Sequence, residues 1–238
     1  MPDSQAVTIQ ACKHCGTGAP PDAHFCPKCD KILSLARHGD YFTFLGLPRK
    51  LAIDLSDLDR RLRTLSRQFH PDYYCNASAP ERLASLERAS YLNDAYRTLR
   101  DPAARVEYLL EIEGVPLKHR SGTTNGVSPA LLEEVFELNE ELDAIRAARQ
   151  AGVPEPDRRV RLASARVPID RHLADHTRRL DDLARRWDAL VDQGAPREAR
   201  RPVLDALKTL LLERSYITNL LAALDKEAAE QGTAETSG

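Results

Sequence analysis

Three apolar stripes in the second half of the chain constrain its fold more than any other feature. Leu131, Val135, Leu138, Leu142 and Ile145 recur at alternating spacings of four and three residues. Ile169, Leu173, His176, Leu180, Leu183, Trp187 and Leu190 do the same, and so do Val203, Leu207, Leu210, Arg214, Ile217, Leu221 and Leu224. Such spacing puts all members of a set on one face only in an α-helix. The stripes are separated by "AGVPEP" and "QGAPRE", turns too short to let a helix do anything but double back. Residues 128–231 therefore read as an antiparallel three-helix bundle with coiled-coil-like packing. On the stripes, His176 reads as a satisfied edge residue, and Arg214 as a stem lying on apolar surface with its head in water. The Arg-rich run from Arg158 to Arg186 is interleaved with Asp170, Asp175, Asp181 and Asp182 and reads as a solvated helix face. The polar tail, residues 232–238, is expected to be disordered.

The rest of the chain is helical in pattern too. Aromatics are 5% of the 238 residues and Gly only 11, against 42% apolar, which opposes a β-rich fold. Within residues 39–114, Leu58, Leu62, Leu65 and Phe69 mark one helix and Ala89, Leu92, Tyr96 and Leu99 the next, which starts near Ala79-Pro80. "RDPAARVEYLLEIEG" starts a further helix after Pro102, and Gly114 closes it. Residues 115–127, "VPLKHRSGTTNGV", have the composition of a linker. The class is all-α. A net charge of -2 gives no global pull toward nucleic acid or an anionic membrane. No apolar run approaches the roughly 20 residues of a membrane span. "MPDSQAVTIQAC" lacks the pattern of a leader, so a soluble, cytoplasmic protein is expected.

Residues 1–38 hold too little apolar sequence for a core, but they hold "CKHCGTGAPPDAHFCPKC". Cys12, Cys15, Cys26 and Cys29 form two C-x-x-C pairs, a spacing that lets four thiolates surround one tetrahedral ion. Four sulfurs leave no open position, so the expected Zn2+ is structural, with iron as the minor alternative. A segment this short depends on its metal to fold. A redox dithiol is the competing reading, but it belongs at a helix N-terminus in a βαβ setting, absent here. His14 and His24 offer further ligands that four thiolates make unnecessary. Cys75 reads as incidental.

"RQFHPDYY" raises a different question. Pro71 ends the helix, because proline lacks an N–H and disfavours helical geometry in the residue before it. The stop leaves His70, Pro71 and Asp72 side by side at the end of a helix that carries Arg60, Arg63 and Arg67. Alone, that basic stripe is a solvated face. Joined to the loop, it looks like a docking surface for an acidic partner.

His-Pro-Asp between two such helices resembles the J-domain of DnaJ-type co-chaperones. Together with "DYFTFLGLP", "LNDAYRTLRDPAARVEYLLEIEG" and "LNEELD", the chain resembles the HscB family over about residues 40–230. The four-Cys ribbon is similar to that of eukaryotic members. The resemblance implies a J-domain, a scaffold-binding bundle and no enzymatic activity of its own. It implies that His70, Pro71 and Asp72, with Arg60, Arg63 and Arg67, engage a DnaK/HscA-class chaperone ATPase. It implies that Leu132, Phe136, Glu137, Glu140 and Tyr216 bind an IscU-type iron–sulfur scaffold, and that a eukaryotic member would sit in the mitochondrial matrix. The chain departs from the family at Glu133, where bacterial relatives often carry an apolar residue, at Ala144, often an acid, and at Tyr216, usually Phe. Read without the resemblance, Leu132 and Phe136 would only widen the core stripe.

Three other classes compete. A general J-domain co-chaperone would carry a Gly/Phe-rich segment and β-rich client domains, which are missing. A thiol oxidoreductase would use Cys12/Cys15 or Cys26/Cys29. A zinc-ribbon nucleic-acid binder would show binding that falls steeply with salt.

Overall fold

The structure, a computed structural model, describes residues 10–20, 22–35, 39–115, 117, 129–153 and 155–232, and divides into two compact units, Met1–Glu113 and Gly114–Gly238. The expected linker lies almost wholly outside the described residues, as do residues 233–238 of the expected tail.

In the first unit, α1 (Tyr41–Phe44) is capped by Asp40, whose carboxylate accepts from the Thr43 amide and from Arg49. Gly46 follows at φ +66°, and Arg61 of α2 (Leu55–Gln68) donates to the carbonyls of Leu45 and Gly46. A Cβ at Gly46 would stand 2.9 Å from that guanidinium, so glycine serves both the turn and the close approach. Asp54 caps α2. After a 3₁₀ turn (Pro71–Tyr74), α3 (Ala79–Arg100) begins at a Ser78/Glu81 capping box, and α4 (Pro102–Ile112) begins at Asp101 and Pro102. Phe42, Leu58, Phe69, Leu92, Leu99, Leu109 and Leu110 form the fully buried core.

The inward face of α3 differs from the expected one. It consists of Ala84, Ser85, Arg88, Leu92, Ala95 and Leu99, while Ala89 and Tyr96 are only half-buried. The face is rotated because its N-terminal half receives the cysteine segment. There β1 (Gln10–Ala11) pairs antiparallel with β2 (Gly18–Ala19), and Cys12, Ala19, Cys26 and Leu33 bury one another. The segment is indeed short of apolar residues. It compensates by resting on α3.

The second unit consists of α5 (Pro129–Gln150), α6 (Glu155–Asp192) and α7 (Arg197–Gly232). Gly152 at φ +76° and Gly194 at φ +60° make the two reversals. Leu142, Ile145, Leu162, Ala165, Ile169, Ile217, Leu220 and Leu224 share one core. Farther along α6 and α7, Leu180, Trp187, Leu204, Leu207 and Leu210 are buried. Arg158 is also buried, which corrects its placement on a solvated face. The cause is periodic: Arg158, Leu162, Ala165 and Ile169 extend the core stripe one turn toward the N-terminus. Other arginines of the run are solvated, as expected, and pair with Glu141, Asp225, Asp175 and Asp182. Exposed pairs of this kind add little stability. Among the described residues no helix is long and apolar enough to cross a membrane.

Candidate functional site

The four cysteines converge. Their sulfurs all lie within 4.8 Å of one another, with Cys12 Sγ 3.7 Å from Cys29 Sγ and Cys15 Sγ 3.6 Å from Cys26 Sγ. A tetrahedral ion with bonds of about 2.3 Å holds its sulfurs about 3.8 Å apart, so the cluster fits one zinc-sized cation. The short distances join one C-x-x-C pair to the other, which opposes two independent dithiols. Electrostatics agree. The amides of Cys15 and His14 lower Cys12, and the Thr17 hydroxyl and amide hold Cys15 down to about 6. Although the Lys31 amide favours its thiolate, burial and the neighbouring sulfurs push Cys29 up to about 12. Holding all four as thiolates would call for a cation to neutralise them. Cys75 is exposed and apart from the cluster.

His24 is not part of the cluster. Burial and the Arg88 guanidinium push it down to about 4, and Arg88 Nη1 lies 2.7 Å from its Nδ1. The ring is therefore neutral, accepting at Nδ1 while it hydrogen-bonds the Phe44 backbone. Arg88, which seats the cysteine segment on α3, is a residue that sequence reasoning missed. Its only signal was its position, four residues before Leu92 on a face otherwise made of small and apolar side chains.

At the C-terminal end of α2, His70 caps the 3₁₀ turn, and its Nδ1 accepts from the Asp72 amide at 3.3 Å. The Asp72 carboxylate lies 3.5 Å from the same nitrogen. Pro71, at the turn's first position, fixes the bend. Asp72 is 87% exposed and His70 51%, so both face outward. Leu62, Arg63, Ser66, Arg67, His70, Asp72 and Tyr73 line an open groove of about 460 Å³. Arg63 and Arg67 thus join the His-Pro-Asp loop, whereas Arg60 pairs with Asp57 and stays outside the groove.

In the second unit, Phe136 is 64% exposed on α5, flanked by exposed Glu133, Glu137 and Glu140. Leu132 is half-buried, as is Tyr216 on α7, and Ala144 is exposed. Phe136 therefore does not widen the core stripe. Val135 and Leu138 pack against the core as expected, and the Leu131 side chain lies outside the described residues. Of the five phenylalanines, Phe25, Phe42, Phe44 and Phe69 pack in the first unit. The fifth is left in solvent.

A J-type helical hairpin with an outward His-Pro-Asp loop, followed by a helical bundle, defines the class by fold. Within that class the fold is the HscB fold. The crystal structure of the human co-chaperone protein HscB superposes with a TM-score of 0.69, covering 92% of this chain and 98% of that one at 22% identity. The chaperone HscB from Vibrio cholerae matches with a TM-score of 0.57, over 80% of this chain and 99% of its own, at 28% identity. No family model matches the sequence.

Proposed function

We propose that this chain is a co-chaperone without catalytic activity of its own. Its His-Pro-Asp loop stimulates a DnaK/HscA-class ATPase, and its bundle delivers an IscU-type scaffold for iron–sulfur cluster transfer. The observation that carries the reading is the outward presentation of His70 and Asp72, with Pro71 fixing the bend between them, beside Arg63 and Arg67 on an HscB fold. The arginines steer an acidic ATPase surface into register, and the rigid turn then meets it with an imidazole and a carboxylate. Arg60 adds to the general basic field. On α5, Leu132, Phe136, Glu137 and Glu140, with Tyr216 on α7, form the scaffold surface. Phe136 is its anchor, since exposed aromatics ringed by charge are favoured hot spots. Cys12, Cys15, Cys26 and Cys29 hold one structural Zn2+.

Single-turnover ATP hydrolysis by the DnaK-class partner tests the reading. The chain should accelerate hydrolysis, and His70→Gln should abolish the acceleration while leaving the thermal unfolding midpoint unchanged. Equal acceleration by both proteins would sink the assignment of the loop.

A further inference from the structure

The contacts around Phe69 point to a second role for the cysteine segment. Phe69 ends α2 and immediately precedes His70, so its placement sets where the loop starts. It is fully buried. Two of the side chains that hold it come from between the C-x-x-C pairs: the His24 ring lies 5.0 Å away edge-on and the Phe25 ring 6.1 Å away. From α3, the Ser85 hydroxyl donates to the Phe69 carbonyl at 2.7 Å, and the Arg88 guanidinium lies over its ring at 5.6 Å.

Arg88 joins these two sides. Its Nε donates to the Leu33 carbonyl at 2.7 Å, and its Nη2 to the carbonyls of Ala23 and Ser34 at 3.2 Å each. Its Nη1 donates to His24. One buried guanidinium therefore grips both flanks of the Cys26–Cys29 pair while covering Phe44 and Phe69. A planar fork with five donors does this where a lysine would not. At the edge of the same contact, Lys31 pairs with Glu81 of the α3 capping box at 2.9 Å.

We propose that the four-cysteine segment is a positioning element for the His-Pro-Asp loop, acting through His24 and Phe25 on Phe69, with Arg88 as the positioning residue that fastens it. The loop is rigid on one side because the turn is short and proline-fixed. On its other side it is rigid because the folded segment is packed under Phe69. The role of the loop rests on the function proposed above; the mechanical coupling does not.

The test uses the full-length chain in four forms: wild type, Phe25→Ala, Arg88→Met and wild type stripped with a chelator. Amide hydrogen exchange of residues 65–75 is read against α5–α7 as the internal reference. Coupling raises loop exchange by about tenfold in Phe25→Ala and in the stripped protein, the scale of one lost anchor at a helix end, with α5–α7 unchanged. In the ATPase assay, maximal stimulation falls severalfold while the half-saturating concentration holds, because Arg63 and Arg67 are untouched. Should Arg88→Met fail to fold, Phe25→Ala decides. Unchanged loop exchange in both Phe25→Ala and the stripped protein overturns the coupling. Raised exchange with a wild type that stimulates no ATPase upholds the coupling and overturns the function on which its purpose rests.

Discussion

Two side chains separate what a residue does for the fold from what it does for a partner. Phe136 contributes little to stability because it is mostly in water. Phe136→Ala should leave the unfolding free energy within about 0.5 kcal/mol of wild type, as for exposed substitutions generally. The same change should weaken scaffold binding by about tenfold or more in calorimetry, the loss expected of an aromatic hot spot. His176 is the converse case: it is neither the edge residue nor the fully satisfied one expected from its place on the stripe, because the stripe position is enclosed. It is 2% exposed, its Nε2–H donates to the Leu210 carbonyl at 2.8 Å, and its Nδ1 has no partner among the described residues. Burial lowers its pKa, aided by Arg214 and Arg179 and opposed by the Leu210 carbonyl and Glu213. Between its lowered folded value and an unfolded value of about 6.5, the unfolded chain binds more protons. The stability tied to neutral His176 is therefore complete above that value and lost as pH falls through the window. Melting between pH 7.5 and 5 should show a smaller downward shift in His176→Gln than in wild type. An identical shift would remove His176 from the acid response.

At the scale of elements, the cysteine segment and the bundle depend on different physics. The bundle stripes were legible because a 3.6-residue period needs only the sequence to be seen. Leu142, Ile169 and Leu210 lie where that period puts them. The four cysteines were legible because ligand spacing is local. The seat of the segment on α3 was not, because Arg88 meets Ala23, His24, Leu33 and Ser34 across more than fifty residues. No period or motif marks such a contact. Arg158 escapes the sequence for a related reason: a charged residue one turn before an apolar stripe looks like solvent surface until its neighbours are known. The segment has few buried residues of its own, so metal removal should unfold it first. Native mass spectrometry should show one zinc per chain. After chelation, exchange protection should vanish at Cys12–Leu33 while α5–α7 keep theirs. Retained protection without metal would make the cluster dispensable for folding.

For the whole molecule, the His-Pro-Asp loop and the exposed α5 face belong to separate units, and each is intelligible alone. The loop was readable as three residues, but the groove beside it was not. The structure gathers Arg63 and Arg67 into the groove and diverts Arg60 to Asp57, a choice made by side-chain reach rather than by helical spacing. Likewise, that Phe136 is left in solvent could not be read from a helix whose two faces are both partly apolar. The central claim is that one chain couples these two surfaces, and single-turnover ATP hydrolysis with and without the IscU-type scaffold tests it most directly. The expected result is stimulation by chain and scaffold together that exceeds the sum of their separate effects, lost in Phe136→Ala at subsaturating scaffold. Stimulation by the chain that is indifferent to scaffold would contradict the claim and leave a J-type protein serving another client.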